Sequence, residues 1–373
     1  MRFPLRKALL SVLAIIILGG LAYVAMRMKD FSWDKLETSL KQANWPLLML
    51  ALLGIHVCLA IRAFRWTRFS RYLARARFST IYTATVMGFS AIFLLGRAGE
   101  PIRPLLIARK DRVSVSSQFG IYVLERMFDM ASTVVLAAVA LLAVQHRTTT
   151  PEGKALIAAA RTSGIVLLVG LAAGVAFLIY LRVHGAAKLE RRLEAWRVSS
   201  PIGWRKRVAG LLAGFSQGLQ AIRSFNDLLL AVVISGAHWT LMGGVYYLIA
   251  QSFGGRLAGL TLTDAILVLA FTMAGSTIQL PGVGGGSQVA SFLAYTVILG
   301  IPNEPAAAAA IVVWLITFAG STVLGIPLLI KEGWSMGELR RMVRAEKDAE
   351  AHGRHIAPPA PEKAKSTAGD SQA

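Results

Sequence analysis

The chain has 373 residues, of which 55% are hydrophobic and only 16% are charged, whereas a soluble globular protein carries roughly a quarter of charged residues. Several apolar runs reach the roughly 18 to 20 residues that cross a bilayer, so the composition excludes a set of soluble domains and predicts a multi-pass membrane protein. The 40 Lys and Arg residues outnumber the 20 Asp and Glu residues, and cytoplasmic loops explain this excess better than nucleic acid does.

Six apolar runs are predicted to span the membrane, which makes the fold an all-α polytopic membrane helix bundle. These runs are residues 9–26, 46–61, 118–144, 165–181, 228–250 and 306–330. The first run follows Arg2, Arg6 and Lys7. Basic residues before an apolar run occur both in membrane-spanning helices and in secretory signal peptides. The length of this first run and the lack of a clear small-x-small cleavage site favour an uncleaved span.

Two shorter apolar stretches are interrupted by glycine and proline, and each is predicted to form a re-entrant hairpin, over residues 79–108 and 264–301. If residues 81–95 were a full span, the basic residues 109–112 would lie outside the cell. Corresponding elements of the two halves are about 185 residues apart. The halves are therefore predicted to form an inverted repeat, a pattern that places a transporter site near the midplane of the membrane.

Basic residues set the predicted orientation. Six arginines without an acidic neighbour follow the second run, namely Arg62, Arg65, Arg68, Arg71, Arg75 and Arg77. Such a cluster marks the cytoplasmic side of a cell membrane, and the basic loop at 182–226 marks it again. Both termini are therefore predicted to be cytoplasmic. The transmembrane domain is predicted at 1–335, with a largely disordered tail at 336–373.

The first hairpin tip carries charge within an apolar stretch, where charge is costly. Arg97 and Arg103 flank Gly99 and Glu100. Guanidinium groups and freed backbone amides suit a lipid phosphate, and Arg103 is predicted to contact it. Glu100 would orient one arginine or meet a cationic head group. The alternative is an interfacial turn with snorkelling arginines and a structural Glu–Arg pair.

The run at 118–144 carries three further candidate binding residues. Glu125 and Asp129 are four residues apart and share a helix face, and Arg126 can pair with Asp129 inside that helix. One interpretation is a second wall of a polar cavity, in which Glu125 pairs with an arginine of the hairpin. The other is a self-neutralising structural pair, with Arg126 mainly structural. His238, in a later span, is predicted to be a hydrogen-bonded packing residue rather than a head-group contact.

The second hairpin tip is flexible and nearly uncharged. Its candidate substrate-binding residues are Gln279, Pro281, Gly282, Gly285 and Gln288. A glycine run can cradle a phosphate, but the chain contains no G-x-x-x-x-G-K-[ST] sequence, so a nucleotide site is not expected. Because the chain has one cysteine and no His, Asp and Glu set with ligand spacing, no metal or cofactor is predicted.

Three of these segments together resemble landmarks of the lysylphosphatidylglycerol synthase transmembrane region family, also described as flippase-like membrane proteins. They are Gly-Arg-Ala-Gly-Glu-Pro-Ile-Arg-Pro at 96–104, Glu-Arg-Met-Phe-Asp at 125–129 and Pro-Gly-x-x-Gly at 281–285. The resemblance covers about residues 5 to 335 and implies a bundle that moves or handles a lipid. Larger members translocate aminoacylated phosphatidylglycerol, and other relatives are linked to glycolipid or hopanoid metabolism.

Two departures from the family pattern limit what can be carried over. The family often has an acidic residue where this chain has Gln288. Only about 43 residues follow the last run, so the soluble aminoacyl-transfer domain of the full synthases is not expected, and neither is synthesis of a lysyl-lipid by this chain alone.

The leading hypothesis is a flippase-like lipid transporter without catalysis of its own, whose substrate is an anionic or zwitterionic lipid. Its expected partners are membrane lipids, above all anionic ones, and a lipid-synthesis enzyme. The alternative is a membrane enzyme, or an enzyme subunit, of glycolipid, polyprenyl or hopanoid synthesis, with Glu100 or Glu125 as a base. A third hypothesis is a scaffold for a lipid synthase.

Overall fold

A computed structural model describes residues 31–71, 77–111, 113, 115–144, 151–184, 224–277, 279–280, 282, 284–334, 337–338 and 341. The helices are α1 Trp33–Lys41, α2 Trp45–Ser70, α3 Phe78–Leu95, α4 Ile102–Asp111, α5 Val115–Val144, α6 Pro151–His184, α7 Phe225–Ser252, α8 Gly255–Ala258, α9 Leu262–Gly275, α10 Gly286–Leu293, α11 Asn303–Trp314 and α12 Thr322–Lys331. Two-residue strands, β1 Gln279–Leu280 and β2 Gly284–Gly285, pair antiparallel between α9 and α10. The all-α membrane bundle is therefore confirmed.

Polar side chains at the helix starts explain several of these boundaries. Asn44 accepts a hydrogen bond from the amide of Leu47 at the start of α2. Ser224 and Asp227 form a reciprocal capping box at the start of α7, and Thr261 and Asp264 form another at the start of α9. Each cap satisfies backbone amides that have no partner inside the helix. Polar caps thus mark where these helices begin.

Six helical segments of the described residues are long and apolar enough to cross a membrane, but they are not the six that the sequence predicted. They are Trp45–Ser70, Phe78–Gly99, Ser117–Ala143, Pro151–Gly170, Phe225–Ser252 and Asn303–Lys331. The predicted span at 9–26 lies outside the described residues. The segment Phe78–Gly99, predicted as the short arm of a hairpin, is longer than expected because its helix begins at Phe78 and a 3₁₀ turn, Gly96–Gly99, extends it. The helix α6 also begins well before the predicted span at 165–181.

The first predicted hairpin exists as a pair of antiparallel helices, α3 and α4. The chain reverses at the 3₁₀ turn, and a Cβ on Gly88 would lie 2.6 Å from Cβ of Arg103. Lys110, at the end of α4, donates a hydrogen bond of 3.3 Å to the hydroxyl of Thr83, near the start of α3. The two ends of the hairpin therefore lie on the same side of the bundle. Its re-entrant course through a membrane stays a prediction.

The second predicted hairpin consists of α9, the β1–β2 turn and α10. A Cβ on Gly275 would lie 2.2 Å from the carbonyl oxygen of Gly286 and 2.5 Å from Cβ of Ala290, so only glycine permits this approach of the two helices. After α10 the helix widens into a π-helical turn over Ala294–Ile298. A second π-helical turn, Leu315–Ala319, interrupts the predicted last span between α11 and α12.

The tips of the two hairpins touch each other. The amide of Gly282 donates a hydrogen bond of 2.8 Å to the carbonyl oxygen of Phe93, and Arg97 donates one of 2.9 Å to the carbonyl oxygen of Ser276. These contacts join residues about 180 apart in sequence and bring the two predicted binding segments together. The inverted repeat itself stays a prediction.

Sided labelling tests the predicted repeat. Cysteine placed at Ala98 or at Val283 is expected to react with small thiol reagents from opposite sides of the membrane, because the hairpins are predicted to enter from opposite faces. The native Cys58 is buried and gives a low background. Cysteine at the exposed Thr38 reports the sidedness of each vesicle preparation. Reaction of both tips from one side only would contradict the inverted repeat.

Candidate functional site

The helices α2 and α5 present opposite charges to each other inside the bundle. Arg62 and Arg65 are three residues apart on α2, and Glu125 and Asp129 are four apart on α5, so each pair occupies one helix face. All four residues are at most 5% exposed. The sequence-based assignment of Arg62 and Arg65 to a cytoplasmic loop is therefore wrong: α2 continues for two turns beyond the predicted end of the span and buries both side chains.

Four short ion pairs join these side chains. Arg62 lies 3.2 Å from Glu125 and 2.7 Å from Asp129. Arg65 lies 2.9 Å from Glu125 and 2.6 Å from Asp129. Because each arginine reaches both carboxylates, the four residues form one network rather than two separate pairs. Such a network locks the register of α2 against α5.

Arg103 adds a third buried guanidinium to this network. Its Nη1 donates a hydrogen bond of 2.7 Å to Oε2 of Glu125, and its guanidinium lies 4.1 Å from the ring centre of Trp66. The expected pairing of Glu125 with an arginine of the hairpin is therefore present. Arg103 is only 3% exposed, and its Nε and Nη2 have no hydrogen-bond partner among the described residues. We call Arg62, Arg65, Arg103, Glu125 and Asp129 the arginine–carboxylate cluster.

The helix α7 closes the cluster with neutral polar groups. Ser235 accepts a hydrogen bond of 2.6 Å from Arg65, and Trp239 donates one of 3.2 Å to Asp129. The Nε2 atom of His238 lies 3.1 Å from Nη2 of Arg62. Since arginine has no acceptor, this nitrogen must accept, and His238 is neutral with its proton on Nδ1. The expectation that His238 is hydrogen-bonded in the packed core is thus met.

The cluster is unbalanced in charge. Three buried guanidinium groups face two buried carboxylates, which leaves an excess of one positive charge. A buried charge without a partner is costly in a medium of low dielectric constant. An anion that reaches the cluster would therefore be stabilised by it.

Arg126 lies at the rim of the cluster. Its Nη2 is 3.7 Å from Oδ2 of Asp129, so the predicted pair exists, but Arg62 and Arg65 make the shorter bonds to that carboxylate. The side chain of Arg126 is 37% exposed, and its guanidinium lies 5.2 Å from the ring centre of Tyr122. Arg126 therefore makes only a long ion pair inside the bundle, and part of its side chain is accessible to a ligand at the surface.

A chain of polar contacts continues from Arg126 to the hairpin tips. Tyr122 donates a hydrogen bond to Glu100, and Arg97 donates one of 2.7 Å to the other oxygen of the same carboxylate. We call Arg97, Glu100, Tyr122 and Arg126 the tip patch. The structural Glu–Arg pair that the sequence left open is thus present, although the side chain of Arg97 remains 49% exposed.

The predicted residues of the second tip contribute backbone rather than charge. The amide of Gly285 donates a hydrogen bond of 2.7 Å to the side-chain oxygen of Gln288, and the backbone of Gly285 pairs with that of Gln279. Gly282 is exposed and has a φ angle of 68°, a conformation that favours glycine. Pro281 lies outside the described residues.

The sequence-based prediction named six of the nine residues of the arginine–carboxylate cluster and the tip patch. It assigned Arg62 and Arg65 to a loop and did not consider Tyr122, nor Ser235, which contacts the cluster. The arginine run itself does not single these two out, but a signal lay elsewhere in the chain, because two carboxylates in a later span require buried cations. Among the described residues, no three His, Cys, Asp or Glu side chains form a group that could hold a metal ion.

Comparisons with known proteins agree with this architecture. The chain is 23% identical over 338 residues to a UPF0104 membrane protein of Methanothermobacter thermautotrophicus, and the match covers 87% of this chain and 97% of that protein. The model of the family described as lysylphosphatidylglycerol synthase TM region matches residues 10–325. That match covers most of the chain and contains the whole arginine–carboxylate cluster and both hairpins. The chain therefore belongs to the lysylphosphatidylglycerol synthase transmembrane region family.

Proposed function

We propose that this protein binds the phosphate of a membrane lipid at the tip patch and moves the lipid between the leaflets, as a flippase-like transporter. One observation carries the proposal: a buried cluster with excess positive charge is connected to the half-exposed Arg126. A lipid phosphate is the anion that a membrane supplies in quantity. Guanidinium is also the side-chain group that binds phosphate through paired, geometrically matched hydrogen bonds.

The structure gives the two candidate arginines different environments from those that the sequence suggested. Arg103, predicted as the phosphate contact, is fully packed between Glu125 and Trp66. Arg126, predicted as structural, is the more exposed of the two. We therefore assign the phosphate contact to Arg126, and a positioning role to Arg103, which holds Glu125 in the cluster.

The position of the tip patch supports transport rather than static binding. The patch adjoins the place where the two hairpin tips meet, and two hydrogen bonds join the hairpins there, from Gly282 to Phe93 and from Arg97 to Ser276. Two exchangeable hydrogen bonds are a modest barrier, since each contributes about 0.5–1.5 kcal/mol net. A head group that draws Arg97 away from Ser276 would weaken the junction and open a route between the halves.

A translocation assay tests the assignment. In proteoliposomes that contain fluorescent phosphatidylglycerol, Arg126→Gln is expected to lower the translocation rate by about tenfold or more, because a charge-assisted hydrogen bond contributes about 1.5–3 kcal/mol. Its unfolding temperature should change little, since Arg62 and Arg65 still pair with Asp129. The rate is read from the loss of fluorescence after an impermeant reductant is added outside.

Two further variants control this assay. Arg256→Gln removes an exposed arginine that bonds only the carbonyl oxygen of Gly300 in the described structure, and it should transport normally. Arg103→Lys keeps the charge but loses the stack on Trp66, so its unfolding temperature should fall, since such stacking contributes about 0.5–2 kcal/mol. Normal transport by Arg126→Gln would overturn the assignment, and so would an Arg103→Lys variant that is inactive but fully stable.

A further inference from the structure

An apolar groove lies between α2 and α7, on the outer surface of the helices that the structure describes. Its volume is about 840 Å³, within the range of about 300–1,000 Å³ typical of ligand sites. Its lining includes Leu50, Leu53, Val57, Leu241, Leu248 and Leu262. Almost no polar surface faces the space. The groove shares no residue with the arginine–carboxylate cluster or the tip patch.

The contacts between α2 and α7 show how the groove is oriented. The amide of Asn44 bonds the carbonyl oxygen of Ser252, and Arg65 bonds Ser235, so the two helices are antiparallel. Gln251 bonds the carbonyl oxygen of Leu260, which places the segment 260–262 at the Asn44 end. From there the groove runs along both helices toward Val57 and Leu241, and Val57 lies about one and a half turns before Arg62 of the cluster.

Two glycines, one on each wall, give the groove its shape. A Cβ on Gly244 would meet no heavy atom within 4 Å. On the facing helix, a Cβ on Gly54 would lie 2.7 Å from Cγ2 of Val245, so this glycine allows the two helices to approach closely at the floor. An open wall beside a close crossing produces a narrow cleft rather than a flat face.

We propose that this groove holds one acyl chain of a membrane lipid. Both walls belong to helices long and apolar enough to cross a membrane, so hydrocarbon is the medium that meets them. From Leu50 to Val57 the wall extends about 10 Å along α2 at 1.5 Å per residue. This length is shorter than the half-thickness of a bilayer core, about 15 Å, and a single chain can fill it. A partner helix, about 10 Å wide, would meet only two turns of wall.

The proposal goes beyond the head-group site and does not depend on transport. Large side chains with exposed apolar surface, Leu50, Leu53 and Val57, form one edge of the groove. A flexible chain lying against them gains dispersion contacts that a rigid surface of the same composition would not make. Because the walls are apolar, the groove selects the chain and not the head group.

Photolabelling in proteoliposomes tests the groove. The probe is phosphatidylglycerol with a diazirine on one acyl chain, and labelled peptides are mapped by mass spectrometry. Labelling of the peptides that contain Leu53 and Leu241 is expected to saturate as the probe fraction rises and to be competed by unlabelled lipid. Labelling of the exposed Val135 and Val139 on α5 should rise in proportion to the probe, as for lipid that merely surrounds the protein.

A matched pair of variants separates a built groove from the general lipid surface. Gly244→Leu fills the groove and should cause a several-fold loss of labelling there. Gly236→Leu makes the same change on the same helix, at another glycine with open space around it, and should leave labelling unchanged. Equal labelling of the two variants, or unsaturable labelling of the unchanged protein, would overturn the proposal. If Gly244→Leu does not fold, saturation of labelling in the unchanged protein still tests the groove. Neither the saturation nor the comparison of the two variants depends on whether Arg126→Gln transports lipid.

Discussion

Glu125→Gln is expected to destabilise the protein more than any other single change in the cluster. Its carboxylate accepts from Arg62, Arg65 and Arg103, and glutamine keeps the shape but removes the charge. Arg62 and Arg65 would then share Asp129, and Arg103 would lose the carboxylate that it pairs with in the described structure. Leaving buried charge uncompensated costs about 3–5 kcal/mol, a large part of the roughly 5–15 kcal/mol that stabilises a typical protein.

The measurement is thermal unfolding of the detergent-solubilised protein, followed by size-exclusion profiles at increasing temperature. Glu37→Gln is the matched control, because the same chemical change there removes only an exposed pair with Lys41, whose side chains are 63% and 73% exposed. Exposed pairs contribute about 0–1 kcal/mol, so this variant should unfold as the unchanged protein does. If the two variants unfold at the same temperature, the cluster does not stabilise the bundle.

Gly275→Ala is expected to have the second largest effect, because the second hairpin closes around this position. The added methyl would lie 2.2 Å from the carbonyl oxygen of Gly286 and 2.5 Å from Cβ of Ala290. Neither atom is the end of a flexible side chain, so α9 and α10 must separate. Overpacking of this kind costs about 1–3 kcal/mol, and the separation would also displace the tip that meets the first hairpin.

Gly236→Ala is the control, and its expected effect on stability has the opposite sign. It lies within α7, and an added Cβ would meet no heavy atom within 4 Å. Alanine is favoured over glycine inside a helix by about 1 kcal/mol, so this variant should be as stable as the unchanged protein or more stable. The same thermal series compares the two substitutions. Should Gly275→Ala unfold at or above the temperature of Gly236→Ala, the close packing of α9 on α10 is not as described.

The candidate site was partly predictable because several of its residues stand out in the sequence alone. Charge within an apolar run is rare and costly, so Glu125 and Asp129 stand out, as do the charged residues of the first tip. The helical spacing of four placed both carboxylates on one face. The partner of Glu125 was correctly sought in the hairpin, where Arg103 supplies it.

Arg62 and Arg65 show where such signals fail. A run of arginines after an apolar segment is the usual mark of a cytoplasmic loop, and nothing in the run distinguishes its first two members from the rest. Their burial depends on two carboxylates about 60 residues later in the chain. The exposure of Arg126 likewise depends on the tertiary structure. Three arginines compete for the carboxylate of Asp129, and Arg62 and Arg65 lie closer to it than Arg126 does.

The sequence by itself determined that this protein is an all-α membrane bundle with two interrupted helical hairpins, because hydropathy and helix-breaking residues act locally. Only the tertiary structure decided which helices contact each other, that the hairpin tips meet through Gly282 and Phe93, and which arginines are buried. It also decided that Phe78–Gly99 is long enough to span. The physical reason is that desolvation of charge and close packing depend on neighbours in space, and those neighbours come from segments far apart in the chain.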